Sequence, residues 1–213
     1  MNAEGICYQD ETGHVRQIEP AKIRLARMPE STFYTHRLSM LNPRPELEGL
    51  ETAIKTVRQL VMDELPKPLA LFYSATPGLG KTHLAYAAGW MMLGAGKSVS
   101  FYKTADLLDE LRGGYRISEN YRADQMAGGT LWTYEQIMRR VQTVHFLILD
   151  DIGLQKMTDW SVETLDQIVD YRYDNNKATL LTANGLEFSQ RIVSRCKEGA
   201  LVRLKGTDYR GTR

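Results

Sequence analysis

Apolar residues recur along this chain in two rhythms, and the points where one gives way to the other outline the fold. From Glu46 to Leu65 the positions Leu47, Leu50, Ala53, Ile54, Val57, Leu60 and Val61 fall three and four residues apart, which predicts an amphipathic helix stopped by Pro66. Leu69 to Tyr73 is then an apolar run that reads as a strand, and His83 to Leu93 reads as a helix. The alternation continues with a strand at Lys97 to Tyr102, a helix capped by Thr104 and running to Leu111, and an amphipathic helix from Leu131 to about Val141. Val144 to Leu149 is an unbroken apolar run ending in Asp150-Asp151, the pattern of a buried parallel strand with charge at its carboxyl end. Beyond it follow a helix from Trp160 to Asp174, a strand from Thr179 to Ala183, a helix from Glu187 to Lys197 and a last short strand from Leu201 to Leu204.

Strands alternating with helices predict an α/β fold: five parallel strands, helices on both faces, and a ligand site at the carboxyl ends of the strands. Two stretches carry no period. Residues 112–130 are Gly-rich and irregular, and residues 1–46 mix polar and apolar positions around turn signals at Glu11-Thr12-Gly13 and Asn42-Pro43-Arg44-Pro45. The expected organisation is an arm, residues 1–46, with a hairpin near Ile6 to Arg16, and one domain, residues 47–213.

Between the first sheet strand and its helix lies Ala75-Thr76-Pro77-Gly78-Leu79-Gly80-Lys81-Thr82-His83, a match to the Walker A pattern with Ala75 in place of the first Gly. Gly78 and Gly80 let the backbone curl so that N–H groups face phosphate oxygens. Lys81 reaches the β- and γ-phosphates, Thr82 holds Mg²⁺, and the next helix aims its N-terminus at the same anion. A strand before and a helix after separate such a loop from a Gly-rich surface turn. The implied cofactors are ATP and Mg²⁺.

This loop needs a second Mg²⁺ ligand, and Asp150 at the end of the apolar strand fits; Asp151 then orients or deprotonates the attacking water. Asn184 ends the following strand with an amide able to reach the γ-phosphate or that water, and on local grounds it is as readily a turn former before Gly185. Arg195, on the helix after Arg191, suits a finger that stabilises charge on the γ-phosphate of a neighbouring subunit; a solvated helix face explains it equally well.

Composition narrows the setting. At 213 residues, 43% hydrophobic and 25% charged, the chain can bury one core. A net charge of +1 gives no basic body, so nucleic-acid contact would be local and strengthened by assembly. With no secretory pattern and no apolar run near membrane-spanning length, a cytoplasmic protein without membrane contact is expected. Cys7 and Cys196 lie far apart and read as free thiols, and the histidines lack zinc-ligand spacing.

The Thr76–Ala85 segment, Leu147-Ile148-Leu149-Asp150-Asp151-Ile152-Gly153, Thr182-Ala183-Asn184, Arg191-Ile192-Val193-Ser194-Arg195 and Asp208-Tyr209-Arg210 together resemble the DnaC/IstB branch of AAA+ ATPases. The resemblance implies a three-layer P-loop NTPase of the AAA+/ASCE type without the C-terminal helical lid, with Asn184 as sensor 1 and Arg195 as arginine finger. It implies a weak ATPase that loads the replicative helicase, a DnaB-like partner, binds single-stranded DNA and forms a homo-oligomer when ATP-bound. The transposition helper of the same branch is the alternative, and a small-molecule P-loop kinase stands further off. Gly5 to Arg16 also resembles a worn zinc ribbon that keeps one Cys. Relatives touch DNA through the insert before the Asp150 strand, which here offers Lys103, Tyr115, Arg116, Tyr121 and Arg122; packing of the insert explains the aromatics as well. Resemblance to loaders assigns the helicase contact to the arm, whose Ile6, Tyr8, Ile18, Phe33 and Tyr34 otherwise fold back onto the core.

Overall fold

The structure, a computed structural model, describes residues 5–9, 13–41, 47–119, 132–153 and 157–208, with the backbone alone over 115–119. Its first element is the expected hairpin, β1 (Ile6–Gln9) and β2 (Val15–Ile18), with Ile6 opposite Ile18. Two short helices follow, α1 (Pro20–Ala26) and α2 (Ser31–Thr35), then a 3-10 turn at Leu38–Met40. Five and seven residues are too few to print a helical period, and Pro20 at the first turn of α1 was the one local signal.

The amphipathic helix is α3 (Leu50–Val61), started at Gly49, whose φ of 88° and close approach to the Arg203 carbonyl both exclude a side chain. Next come β3 (Leu69–Tyr73), α4 (Lys81–Gly94), β4 (Val99–Lys103) and α5 (Thr104–Glu119). The helix α5 runs through Gly113-Gly114 into the stretch expected to be irregular. At Gly114 a Cβ would stand 2.7 Å from the Tyr134 backbone nitrogen, so glycine there admits a neighbouring helix and does not end its own. That neighbour, α6 (Tyr134–Thr143), opens with a capping box in which Thr133 and Gln136 satisfy each other's backbone N–H. The chain continues through β5 (Phe146–Ile152), α7 (Asp159–Asp174), β6 (Ala178–Ala183), α8 (Gln190–Glu198) and β7 (Ala200–Arg203).

The five strands β3 to β7 form one parallel sheet in the order β4-β5-β6-β3-β7. Side chains alternate across it. Ala70, Phe72, Phe146, Ile148, Leu180 and Val202 pack under α3 and α4, while Leu69, Leu71, Leu147, Leu149 and Leu181 pack under α5 to α8. The result is the expected three-layer α/β fold. Ile6, Ile18, Ile23, Met28 and Phe33 are buried in the first of these layers, and Trp90 of α4 donates to Thr32 at 3.0 Å while meeting the Phe33 ring edge-on. Tyr8 packs beside them, whereas Tyr34 stays exposed.

One buried charge ties the second layer together. Arg172 of α7 is 0% exposed, and its guanidinium donates to Thr179 Oγ1 and to the carbonyls of Val141, Gln142, Val144, His145 and Ala178. These carbonyls end α6 and begin β5 and β6, so one side chain fastens three elements. Burial pushes the guanidinium down to about 9, which leaves it charged at neutral pH. Both cysteines are free thiols, and no helix among the described residues is long and apolar enough to cross a membrane.

Candidate nucleotide-binding site

The loop from Ser74 to Gly80 turns the chain from β3 into α4 through left-handed residues Gly78 (φ 76°) and Gly80 (φ 86°), conformations that side chains resist. Lys81 is buried at the first position of α4, and its ammonium donates to Ser74 Oγ at 2.6 Å; that hydroxyl donates in turn to the Thr76 carbonyl at 2.6 Å. The loop lines a cavity of about 580 Å³ together with Lys81, Thr82, His83, Asp150, Asp151 and Asn184. Pro77 to Gly80 line this cavity, whereas Ala75 and Thr76, expected to contact the nucleotide, do not.

The paired acids owe their positions to an irregularity in β5. Its pairing with β6 shifts between Leu149 and Ile152, and Asp151 takes a left-handed φ of 58°, strain of the kind concentrated at functional sites. Thr182 of β6 spans the shift: its hydroxyl donates to Asp150 Oδ1 at 2.6 Å and accepts from the Asp151 N–H at 2.9 Å. Thr82 donates to the same Asp150 carboxylate at 3.1 Å, and Thr104 caps the Asp150 carbonyl at 2.9 Å. Asp150 is 1% exposed; burial pushes its carboxyl above the usual range, against the opposing pull of the Thr182 and Thr82 hydrogen bonds. A hydroxyl and a desolvated carboxylate converging at the mouth of a phosphate loop fit a hard divalent cation, whose charge would offset that burial.

Several wall residues were not singled out beforehand. His36 and Leu41 come from the segment before α3, so part of the arm reaches the cavity. The His36 and His83 rings lie 4.8 Å apart; burial pushes both imidazoles down, and His83 bonds to the Arg37 carbonyl at 2.9 Å. Lys103, expected at DNA, lines the nucleotide cavity opposite Asp150 in the β4–β5 register. Asp208 lies so close to Gly78 that a Cβ there would stand 1.8 Å from its Oδ1. Ser74 had no sequence signal beyond its place at a strand end, Thr104 was expected only as a helix cap, and Thr182 only as a member of the Thr182-Ala183-Asn184 segment.

Arg195 is not at the cavity. It lies on the side of α8 that faces α7, ion-paired with Asp170 and seated over the Tyr173 ring at 4.3 Å. The Tyr115 and Arg116 side chains, and Tyr121, Arg122 and Arg210, lie outside the described residues. Cys7 sits exposed on β1, and the described residues hold no cluster of three or more metal-ligating side chains.

A parallel sheet with a phosphate loop after β3, paired acids on the neighbouring-but-one strand β5 and an Asn ending the strand between them defines a P-loop NTPase of the AAA+ type. Comparison with known proteins agrees. The IstB-like ATP binding protein family matches residues 48–192. The replicative helicase loader DnaC of Escherichia coli K12 is 29% identical over 210 residues, spanning 92% of this chain and 80% of that protein. A crystal structure of the DnaC helicase loader superposes with a TM-score of 0.60 at 25% identity, covering 83% of this chain and 100% of the other. The crystal structure of DnaI, at 22% identity, gives a TM-score of 0.62 over 85% of this chain and 93% of the other, a likeness of fold. The chain belongs to the IstB-like ATP-binding family, in its DnaC-like helicase-loader branch, and so with the replication-associated AAA+ ATPases.

Proposed function

We propose that this protein is a cytoplasmic ATP-dependent loader that holds a DnaB-like replicative helicase and single-stranded DNA while ATP is bound, and releases them on hydrolysis. The observation that supports the reading is the division of the site: Lys81, Thr82, Asp150, Asp151 and Asn184 line one cavity, while Arg195 lies outside it, paired with Asp170 of α7. A site divided in this way is completed by a second subunit, which makes hydrolysis depend on assembly.

In this reading the Pro77–Gly80 backbone and Lys81 bind the phosphates, and Thr82 with Asp150 holds Mg²⁺. The metal, when bound, neutralises charge on the β- and γ-phosphate oxygens. Asp151, outside the buried Asp150 cage, orients or deprotonates the attacking water, and Asn184 contacts the γ-phosphate or that water. Arg195 of a neighbouring subunit supplies the last positive charge. The arm, residues 1–46, makes the helicase contact, and the domain, residues 47–213, carries the ATPase.

The test is a pulldown from host lysate with a non-hydrolysable ATP analogue, paired with ATPase assays with and without single-stranded DNA. ATP-dependent recovery of the replicative helicase is expected; recovery of a transposase instead would assign the protein to transposition. Phosphate transfer to nucleosides in place of free phosphate release would make it a kinase.

A further inference from the structure

Besides the loop lysine, one more positive side chain reaches the nucleotide cavity. Lys103, the last residue of β4, lines it together with Lys81, Thr82, Asp150 and Asp151. His36 and His83 line it as well, but burial pushes both imidazoles down and leaves them neutral at neutral pH. Lys81 and Lys103 therefore carry the positive charge of the wall, and the hydrolysis proposed above gives Lys103 no task.

The sheet fixes where this lysine points. Lys103 stands opposite Asp150 in the parallel β4–β5 register, and such partners put their side chains on one face. Val99 and Phe101 pack in the layer under α4, as do Phe146 and Ile148, so Lys103 and Asp150 continue two adjacent rows on that face. Phe101 stacks on Tyr86 of α4 at 4.3 Å, one turn beyond Thr82, which brings the end of β4 beneath the start of α4. Thr104, the next residue, bonds to the Asp150 carbonyl at 2.9 Å and holds the strand end in place. The ammonium itself is uncommitted. Lys67, Lys205 and Arg27 are engaged by Asn176, Glu48 and Glu110, whereas Lys103 is exposed and, among the described residues, no hydrogen bond or ion pair occupies it. Its charge does reach Asp150, where it pulls the carboxyl down against the larger push of burial.

A bound triphosphate would add its charge to that of Asp150 and Asp151, and Mg²⁺ with Lys81 does not neutralise the whole. In a partly enclosed cavity that excess is costly, and an uncommitted cation within reach relieves it. β4 stands on the far side of β5 from the loop strand β3, so a side chain arriving from β4 meets the phosphate nearest the paired acids, which is the terminal one. A compact ammonium on a flexible stem suits that contact. We propose that Lys103 is a second phosphate-binding lysine, which contacts the terminal phosphate of ATP from the β4 side and, finding no such phosphate in ADP, sets the preference of the site for ATP. The proposal rests on the ATPase reading of the cavity.

The test is equilibrium binding of fluorescent ATP and ADP analogues, with Mg²⁺, to the full chain as wild type, Lys103→Met and Lys103→Arg. Lys103→Met should weaken ATP about tenfold or more, the loss of a charge-assisted hydrogen bond, and leave ADP within about twofold, which also checks that the variant is folded. Lys103→Arg keeps the charge and should recover most of the difference. Four results would overturn the proposal: equal losses for ATP and ADP, no change in either, tighter ATP binding by Lys103→Met, which would make the lysine a competitor of Mg²⁺ for Asp150, or an ATP loss in Lys103→Arg as large as in Lys103→Met. Weaker oligo-dT binding by Lys103→Met with ATP affinity unchanged would assign the lysine to DNA instead. A wild-type chain that binds neither nucleotide would overturn the ATPase reading, and the proposal with it.

Discussion

Asp170 of α7 holds Arg195 of α8 through an ion pair of 2.5 Å, with Asp174 at 3.9 Å and the Tyr173 ring beneath the guanidinium. Arg191 shares the same carboxylate at 2.7 Å. The residue proposed to act on a neighbour's nucleotide is therefore tied within its own subunit, at 19% exposure, and must leave Asp170 to act. A partly exposed ion pair is worth about 1 kcal/mol, so Asp170→Asn should raise the assembled ATPase rate about fivefold at fixed protein concentration. Arg195→Ala should bind ATP and hydrolyse it about 10³-fold more slowly or worse, with partial recovery on mixing with Lys81→Ala. A fall in rate for Asp170→Asn would mean that the pair aims the finger and does not restrain it.

Lys81→Ala should abolish tight ATP binding, because the ammonium is the loop's own cation against the phosphates. Asp151→Ala should keep binding and lose hydrolysis. Equilibrium binding of a fluorescent ATP analogue beside phosphate release separates the two, and equal loss of binding would refute the division of roles.

Deleting residues 1–26 removes Ile6, Ile18 and Ile23 from the core shared with α4. At about 1.5–3 kcal/mol for each buried side chain, the truncation should cost several kcal/mol in chemical denaturation, on top of any lost partner contact. A truncated chain with unchanged stability would show that these contacts contribute little.

Arg172→Lys keeps the charge but replaces five forked donors with three on a point, so several of the carbonyls at the ends of α6, β5 and β6 lose their partner. A loss on the order of 3 kcal/mol is expected, read as a lower denaturation midpoint without a change in slope.

Burial pushes the Cys196 thiol up to about 12 from 9, so it stays protonated in the folded protein. Above pH 9 the unfolded chain releases this proton while the folded chain keeps it, so this group's contribution lowers stability between pH 9 and about 12. At neutral pH iodoacetamide should label exposed Cys7 promptly and Cys196 only as fast as the protein opens, which mass spectrometry follows directly.

The sheet was legible because its apolar runs are continuous: Leu69–Tyr73 is the strand with the bounds expected, and β4, β5, β6 and β7 fall within a few residues of theirs. The phosphate loop and paired acids were legible because their chemistry is written in contiguous residues. What escaped depends on contacts between distant positions. Gly113-Gly114 reads locally as a break, yet the helix runs on and α6 packs where a Gly114 side chain would be. Arg172 carries no mark of burial in the sequence and is fully buried, since its partners are carbonyls and carbonyls leave no pattern in sequence. Lys103, expected at DNA, belongs to the nucleotide cavity because β4 and β5 pair in that register.

The Thr182 hydroxyl, bonded at once to the Asp150 carboxylate and the Asp151 N–H, works as a clutch between two strands. While β5 and β6 hold their register, both acids are engaged; a slip of one strand against the other disengages both together. Valine would match threonine there in shape and still uncouple them, so the placing of both acids rests on the pairing of β5 with β6, a property that no single acid owns.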